Sequence, residues 1–292
     1  MGLLSGFEHI ARDHEPLAPY TWFRLGGSAE FFAEPTSIDE LGALVRRCRE
    51  SNVAVHLLGG GSNLLVRDEE VRGMVIHLSA PAFCGISVQG NTLTAGGGAK
   101  LTHVISTAAR EGLAGLEPLA GIPGTVGGAL HGNAGTESGD IGQWTDSATV
   151  MTYAGEIATY SRDNLVFGYR ASSLDELAIL SANFVLEREN PEILTKRLQK
   201  AWIVKKANQP PGDLTAGCIF KNPGGVSAAS LIEQANLKGT RSGHAEVSAS
   251  NANFIVAHPG AKSRDVINLI EQIRQQVSRQ LGVDLETQIE IW

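Results

Sequence analysis

Cysteine is scarce: 292 residues contain only Cys48, Cys84 and Cys218, and no two of them form a C-x-x-C pair. An odd count without that spacing excludes a disulfide framework and a cysteine-based zinc site. The eight histidines show no ligand spacing, so no metal centre is expected. Cationic side chains are also in deficit, with 24 Lys plus Arg against 31 Asp plus Glu, a formal charge of −7. Nucleic acids and anionic membrane surfaces both require clustered positive charge, so neither is expected as a partner. No apolar run approaches the ~18 residues needed to span a bilayer. The first six residues, Met1 to Gly6, lack the basic and apolar regions of a secretory leader and the sixth-position Ser or Thr of a myristoylation signal. A cytoplasmic protein is expected.

Glycine, by contrast, is abundant at 34 residues, so the backbone must turn tightly or approach something closely in many places. The length suggests two domains of roughly 100–200 residues each. A helix is predicted over Ser37–Asn52, where Ser37 and Glu40 form a capping box and Ile38, Leu41, Leu44, Val45 and Cys48 share one face. Strands are predicted at Val53–Leu58, Met74–Leu78, Ile86–Ala95 (folded at Gly90-Asn91) and Leu177–Glu187, with a hairpin around Ala154-Gly155-Glu156. Leu101, Val104, Ile105 and Ala108 mark a helix ending at Gly112. Another starts at Asn190-Pro191 and points Ile193, Leu194, Leu198, Ala201 and Trp202 inward. Gln209-Pro210-Pro211-Gly212 is the natural domain boundary. Beyond it come a short helix at Ser227–Ala235, a strand near Phe254–Ala257 and a long amphipathic helix over Ser263–Leu281. The final residues alternate Val283, Leu285, Ile289 and Ile291 with polar neighbours, the pattern of a half-buried strand. The class is α+β.

Two glycine loops are candidates for binding. Gly59-Gly60-Gly61-Ser62-Asn63 follows a strand, and successive N–H groups in such a turn form a concavity suited to phosphate oxygens. Leu64 stands where a Rossmann fingerprint needs its third glycine, and no Lys-Ser or Lys-Thr follows, which excludes a Walker loop. The loop alone is equally compatible with a plain tight turn. The second stretch runs from Gly121-Ile122-Pro123-Gly124-Thr125-Val126-Gly127-Gly128 to Asn133-Ala134-Gly135. It reads either as a packing corner or as backbone laid against a large ligand. Two such loops in one chain favour a dinucleotide-type cofactor.

Five stretches together carry a family resemblance: Thr21-Trp22-Phe23-Arg24-Leu25-Gly26-Gly27, Gly59–Leu65 with Asp68, Gly115–Gly135, Tyr169-Arg170-Ala171-Ser172, and Gly217-Cys218-Ile219-Phe220-Lys221-Asn222-Pro223. In order and over nearly the whole chain, the sequence resembles the UDP-N-acetylenolpyruvoylglucosamine reductases, flavoproteins of peptidoglycan synthesis. The resemblance implies an FAD-binding region of the vanillyl-alcohol-oxidase type at residues 1–190, in two subdomains of about 1–80 and 81–190. A connecting helix and linker at 191–210 and a substrate-binding domain at 211–292 would follow. It implies NADPH as electron donor, a UDP-sugar enolpyruvyl ether as substrate, and a monomer.

On the same basis Gly59, Gly60, Gly61, Ser62, Asn63 and Leu64 would hold the FAD pyrophosphate. Gly121, Ile122, Pro123, Gly127, Asn133 and Gly135 would line the rest of the cofactor. Arg170 would face the substrate carboxylate, since a guanidinium stays charged and binds carboxylate with two prongs. Cys218 stands where most relatives carry a proton-donating serine; an unperturbed thiol titrates near 8.5, so it holds a proton at neutral pH. Cys48 and Cys84 read instead as inert, buried thiols. Gln288 stands where relatives carry a glutamate, and its amide can donate a hydrogen bond without protonation. Glu286 or Glu290 could fill that role with a small register change. Tyr169, Lys206, Lys221, Asn222 and Asn251 are expected around the substrate. Two rival readings remain: another FAD oxidoreductase of the same fold, such as a sugar or lactone oxidase, and a non-catalytic nucleotide-binding relative.

Overall fold

The computed structural model describes residues 2–207 and 218–292; the expected boundary at Gln209–Gly212 lies outside the described residues. The chain forms two compact units, and their division differs from linear order. The first comprises Met1–His14, Glu30–Gly60 and Arg72–Lys205. The second gathers Lys206–Trp292 with two earlier segments, Glu15–Ala29 and Gly61–Val71. Helices and sheets alternate irregularly in both, which is the α+β class.

The first unit begins with a four-stranded sheet in the order Ala11–Pro16, Ser28–Ala33, Val71–His77, Val55–Leu58. Its last two strands run parallel, with Val55 opposite Met74. The helix α1 (Ile38–Glu50) lies in the segment that joins the Ser28–Ala33 strand to Val55–Leu58. Ser37 Oγ caps α1 by accepting the Glu40 amide at 3.2 Å. The Glu40 carboxylate reaches past Ser37 to the amide and hydroxyl of Thr36, at 2.7 and 3.0 Å. The expected capping box therefore closes one residue early. Leu41, Leu44, Val45 and Cys48 are buried as their spacing requires, against Met74, Ile76, Phe83 and Met151.

A five-stranded antiparallel sheet follows, ordered Ile157–Ser161, Thr145–Met151, Ala178–Val185, Thr92–Gly96, Ile86–Gln89. Ala148 faces Ala182 across it, and Gly90 turns the Ile86–Gly96 hairpin with φ +61°. Pro81–Cys84 makes one helical turn, α2; α3 (Leu101–Arg110) and α4 (Val126–His131) bury Leu101, Val104, Ile105, Val126 and Leu130 with Leu93, Val150 and Phe184 of the sheet. The last helix of this part is α5 (Pro191–Ala207), whose start is fixed by Asn190 Oδ1 accepting the Glu192 amide at 2.8 Å. Its apolar face is narrower than the spacing predicts. Leu194 is buried, but Ile193 is 43% and Trp202 54% exposed.

The second unit packs α6 (Ala228–Gln234) and α7 (Ser263–Leu281) with a three-stranded antiparallel sheet, Arg241–Ser242, Ala245–Val247 and Ile255–Ala257. Val266, Leu269, Ile270, Ile273 and Val277 of α7 share a core with Phe23, Leu65, Phe220, Leu231, Ile255, Leu285 and Ile289. Two carboxylates secure the start of α7. Asp265 accepts the amides of Lys262 and His244, each at 3.2 Å, and Asp68 accepts that of Ser263 at 3.1 Å. Gly282 ends the helix at φ +68°.

The C-terminal residues are not one continuous strand. Leu285 and Ile289 are buried as expected, but only Glu290–Ile291 forms a strand, parallel to Leu64–Leu65. The reason is partner supply: Thr287 makes a single bridge to Phe220 before the chain shifts to its new neighbour. Leu44→Ala should lower unfolding free energy by about 2–5 kcal/mol, as for other fully buried leucines. Ile193→Ala should change it by no more than about 0.5 kcal/mol; urea titration of both variants distinguishes the two faces.

Candidate active site

In the first unit the strand Val55–Leu58 delivers Gly59 and Gly60 against the start of α4. A Cβ on Gly60 would lie 2.8 Å from Gly124 Cα, and one on Gly59 would lie 3.0 Å from Thr125 Oγ1. At Gly60 backbone meets backbone, which only glycine permits. Gly121, Ile122 and Pro123 are all partly exposed beside this contact in sequence. Gly127 and Gly135 have internal reasons to be small. A Cβ on Gly127 would sit 3.1 Å from Gly97 O, and one on Gly135 2.6 Å from the Asp140 Cβ.

Arg170 lies at the tip of a hairpin in the same unit. Phe167-Gly168 pairs antiparallel with Ala171-Ser172, which leaves Tyr169 and Arg170 as the two-residue turn. Arg170 takes the left-handed conformation at φ +56°, which costs a non-glycine residue on the order of 1 kcal/mol. Its guanidinium carbon sits 5.7 Å from the Tyr169 ring centroid. Its Nε is buried and has no hydrogen-bond partner. A buried N–H left unpaired is costly, so this atom fits an anionic ligand oxygen.

The hairpin is tied down from α4. Ser172 Oγ donates to His131 O at 3.0 Å, and the His131 ring bonds Leu174 O through Nδ1 at 2.9 Å. Asn133, expected along the cofactor, has its side chain committed inside the protein. Its Nδ2 donates to Gly168 O at 2.8 Å, and its Oδ1 accepts from Gly142 N at 3.1 Å.

In the second unit Gly61 takes φ +62°, and a Cβ there would lie 2.0 Å from Tyr20 O. Its carbonyl accepts from Trp22 N at 3.1 Å, bringing the glycine loop to the Thr21–Gly27 motif. Among the described residues, the loop and turn bonds take no donor from the amides of Gly60 to Asn63. Those N–H groups suit diphosphate oxygens. Ser62 is half-buried, Asn63 exposed and Leu64 buried.

Asn63 also reaches the last residues of the chain. Its Nδ2 donates to Gln288 O at 2.9 Å, and its carbonyl accepts from Glu290 N at 3.0 Å. Cys218 and Gln288, both half-buried, stand on paired backbone. Gln288 N donates to Ile219 O at 2.7 Å, and Lys221 N donates to Glu286 O at 2.9 Å. Glu286 is occupied by the Lys221 ammonium at 2.5 Å, and Glu290 belongs to the strand beside Leu64. Gln288 therefore lies next to the Cys218 segment through its own backbone.

The sequence reading missed the residue that holds this segment. Asn253, 4% exposed, accepts the Phe220 amide at 2.9 Å and donates to the Phe220 carbonyl at 2.9 Å, while its own carbonyl accepts from Ile219 N at 3.0 Å. Only the Asn-x-Asn spacing of Asn251 and Asn253 hinted at it. Asn222 Oδ1 accepts from Ala228 N, and Asn251 Oδ1 from Asn253 N, each at 3.0 Å. Lys206 falls in the last turn of α5, and its side chain lies outside the described residues.

Of the other thiols, Cys48 is buried as expected, whereas Cys84 is partly exposed. Burial pushes Cys48 up to about 11, and burial also raises Cys84, whose Sγ lies 3.5 Å from Ser79 O. Among the described residues no three His, Cys, Asp or Glu side chains could hold a metal, and no helix is long and apolar enough to cross a membrane.

Residues 29–161 match an FAD binding domain, and residues 209–292 match the C-terminal domain of UDP-N-acetylenolpyruvoylglucosamine reductase. The reductase of Rhodopirellula baltica is 39% identical across 97% of this chain and 93% of its own length. That of Listeria innocua is 37% identical across 99% and 97%. The crystal structure of the Thermus caldophilus reductase superposes with a TM-score of 0.83 at 35% identity, covering 97% of this chain and 99% of that one. Asn253→Ala should destabilise the protein by about 2–3 kcal/mol, because two hydrogen bonds vanish and both Phe220 backbone groups lose a partner. The denaturation midpoint measures it.

Proposed function

The chain belongs to the UDP-N-acetylenolpyruvoylglucosamine reductase family, and on that premise we propose how its residues share the reaction. It is an FAD-dependent oxidoreductase of peptidoglycan synthesis, with NADPH as electron donor. The substrate is the enolpyruvyl ether of UDP-N-acetylglucosamine, and the product is UDP-N-acetylmuramate. When bound, FAD supplies the hydride that reaches the vinyl carbon. The pyrophosphate would rest on the amides of Gly59–Leu64, with Gly121–Pro123, Gly127, Gly135 and the Asn133 backbone along the remainder. Residues 1–190 would form the cofactor region and 211–292 the substrate region. The protein would act as a cytoplasmic monomer.

The observation that carries this reading is the buried, unpartnered Nε of Arg170 on a strained turn. Addition of hydride to an enolpyruvyl group builds negative charge on the neighbouring carbon and its carboxylate. A fixed guanidinium lowers the energy of that charge as it forms, and needs no reorganisation to do so. The Cys218 thiol holds the proton that quenches the carbanion; a thiol is a stronger acid than the alcohol of serine. Gln288, bonded to the Cys218 segment through Ile219, offers an amide N–H to the enolate oxygen. Lys221 and Asn222 continue the same segment toward the substrate, with Tyr169, Asn251 and Lys206 as further contacts.

A sugar or lactone oxidase of the same fold would have no use for Arg170, Cys218 and Gln288 together, and its reduced flavin would be reoxidised rapidly by oxygen. Stopped-flow absorbance near about 450 nm, where oxidised flavins absorb, separates the two half-reactions. Cys218→Ala should leave reduction by NADPH within about twofold of the parent. It should slow reoxidation by the enolpyruvyl nucleotide by about 100-fold, the scale of a lost general acid, and Cys218→Ser should restore most of it. Equal loss in both halves would refute the donor role. Gln288→Glu should retain turnover and acquire a fall at high pH, as the carboxyl loses the proton it would donate; a pH profile of kcat reads this.

A further inference from the structure

Asn133 is one of the few buried polar side chains, at 4% exposure, and it adopts φ +40°. Neither fact is explained by lining a cofactor, because both ends of its amide are already bonded. Nδ2 holds Gly168 O at 2.8 Å, two residues before Arg170, and Oδ1 holds Gly142 N at 3.1 Å. Gly142 in turn is pressed against the hairpin: a Cβ there would lie 2.3 Å from Phe167 Cγ. The hairpin has only two paired positions, Phe167 with Ser172 and Gly168 with Ala171. A ladder that short cannot hold a left-handed arginine at its tip unaided. We propose that Asn133 is the positioning residue of Arg170, clamping Gly168 and Gly142 so that the guanidinium is held ready for the substrate carboxylate. The positive φ suits asparagine and aspartate alike, and of the two only the asparagine amide donates the N–H that Gly168 O accepts.

This inference rests on Arg170 meeting the carboxylate, and the test keeps the two apart. Asn133→Gly preserves the backbone conformation and removes both bonds; Asn133→Asp preserves size and the acceptor and removes only the donor to Gly168. In either FAD-loaded holoenzyme, reduction by NADPH is read beside reoxidation, and any loss there should be smaller than the loss in reoxidation. Reoxidation by the enolpyruvyl nucleotide should fall about 10- to 100-fold, the value of one or two lost hydrogen bonds. Amide exchange should quicken within residues 166–173 and, in Asn133→Gly, also at Gly142, whose N–H loses its acceptor. In an Arg170→Ala background, Asn133→Asp should cost less than a further twofold, because the two residues act through one interaction. Unimpaired reoxidation in Asn133→Asp, or equal loss of both half-reactions, would overturn the positioning role. Full activity of Arg170→Ala would instead overturn the reading of Arg170 itself. Should the glycine variant not fold, the aspartate variant carries the test alone.

Discussion

Short backbone segments that carry reactive side chains have too few ladder bonds to hold themselves, and buried asparagine amides supply what is missing. A carboxamide presents one donor side and one acceptor side, so it can stand in for the peptide group of an absent neighbouring strand. Asn253 does this in the second unit, meeting both the N–H and the C=O of Phe220 and thereby fixing Cys218 two residues away. Asn133 does it in the first, joining Gly168 to Gly142 beneath Arg170. A buried peptide group without a partner would cost as much as the bond it lost, so each amide stabilises the backbone next to a side chain to which we assign a role.

Close approach of glycine backbones supplies the second constraint. Within the first unit Gly60 meets Gly124, the chain continues into α4, and the end of α4 is bonded to the Arg170 hairpin through His131, Asn133 and Ser172. One six-residue helix thus separates the glycine loop from the arginine turn. Within the second unit Gly61 is forced against Tyr20 O, and Asn63 links the same loop to Gln288. Asp68, only five residues beyond Asn63, accepts the Ser263 amide at the start of α7.

Much of this was legible from residue spacing. The face of α1, the Gly90 turn and the length of α7 follow from periods and caps that act over a few residues. The family motifs are what the proposed roles of Arg170, Cys218 and the glycine loops start from. Other features were not legible. Ile193 and Trp202 share the predicted face of α5, but exposure depends on what stands opposite, and spacing contains no information on that. The C-terminal alternation reads as one strand, but strands need partners, and Thr287 and Glu290 find different ones. The pairing of Glu286 with Lys221, 65 residues away, was likewise not legible from spacing.

What the sequence determined by itself was local: where helices start and stop, and where only glycine can turn. The α+β class follows from those patterns. Tertiary structure alone decided which segments meet, because Asn253 reaches Phe220 across 33 residues and Asn63 reaches Gln288 across 225. Contacts at such separations depend on the closure of the whole chain, and no period or motif within a window of a dozen residues encodes them.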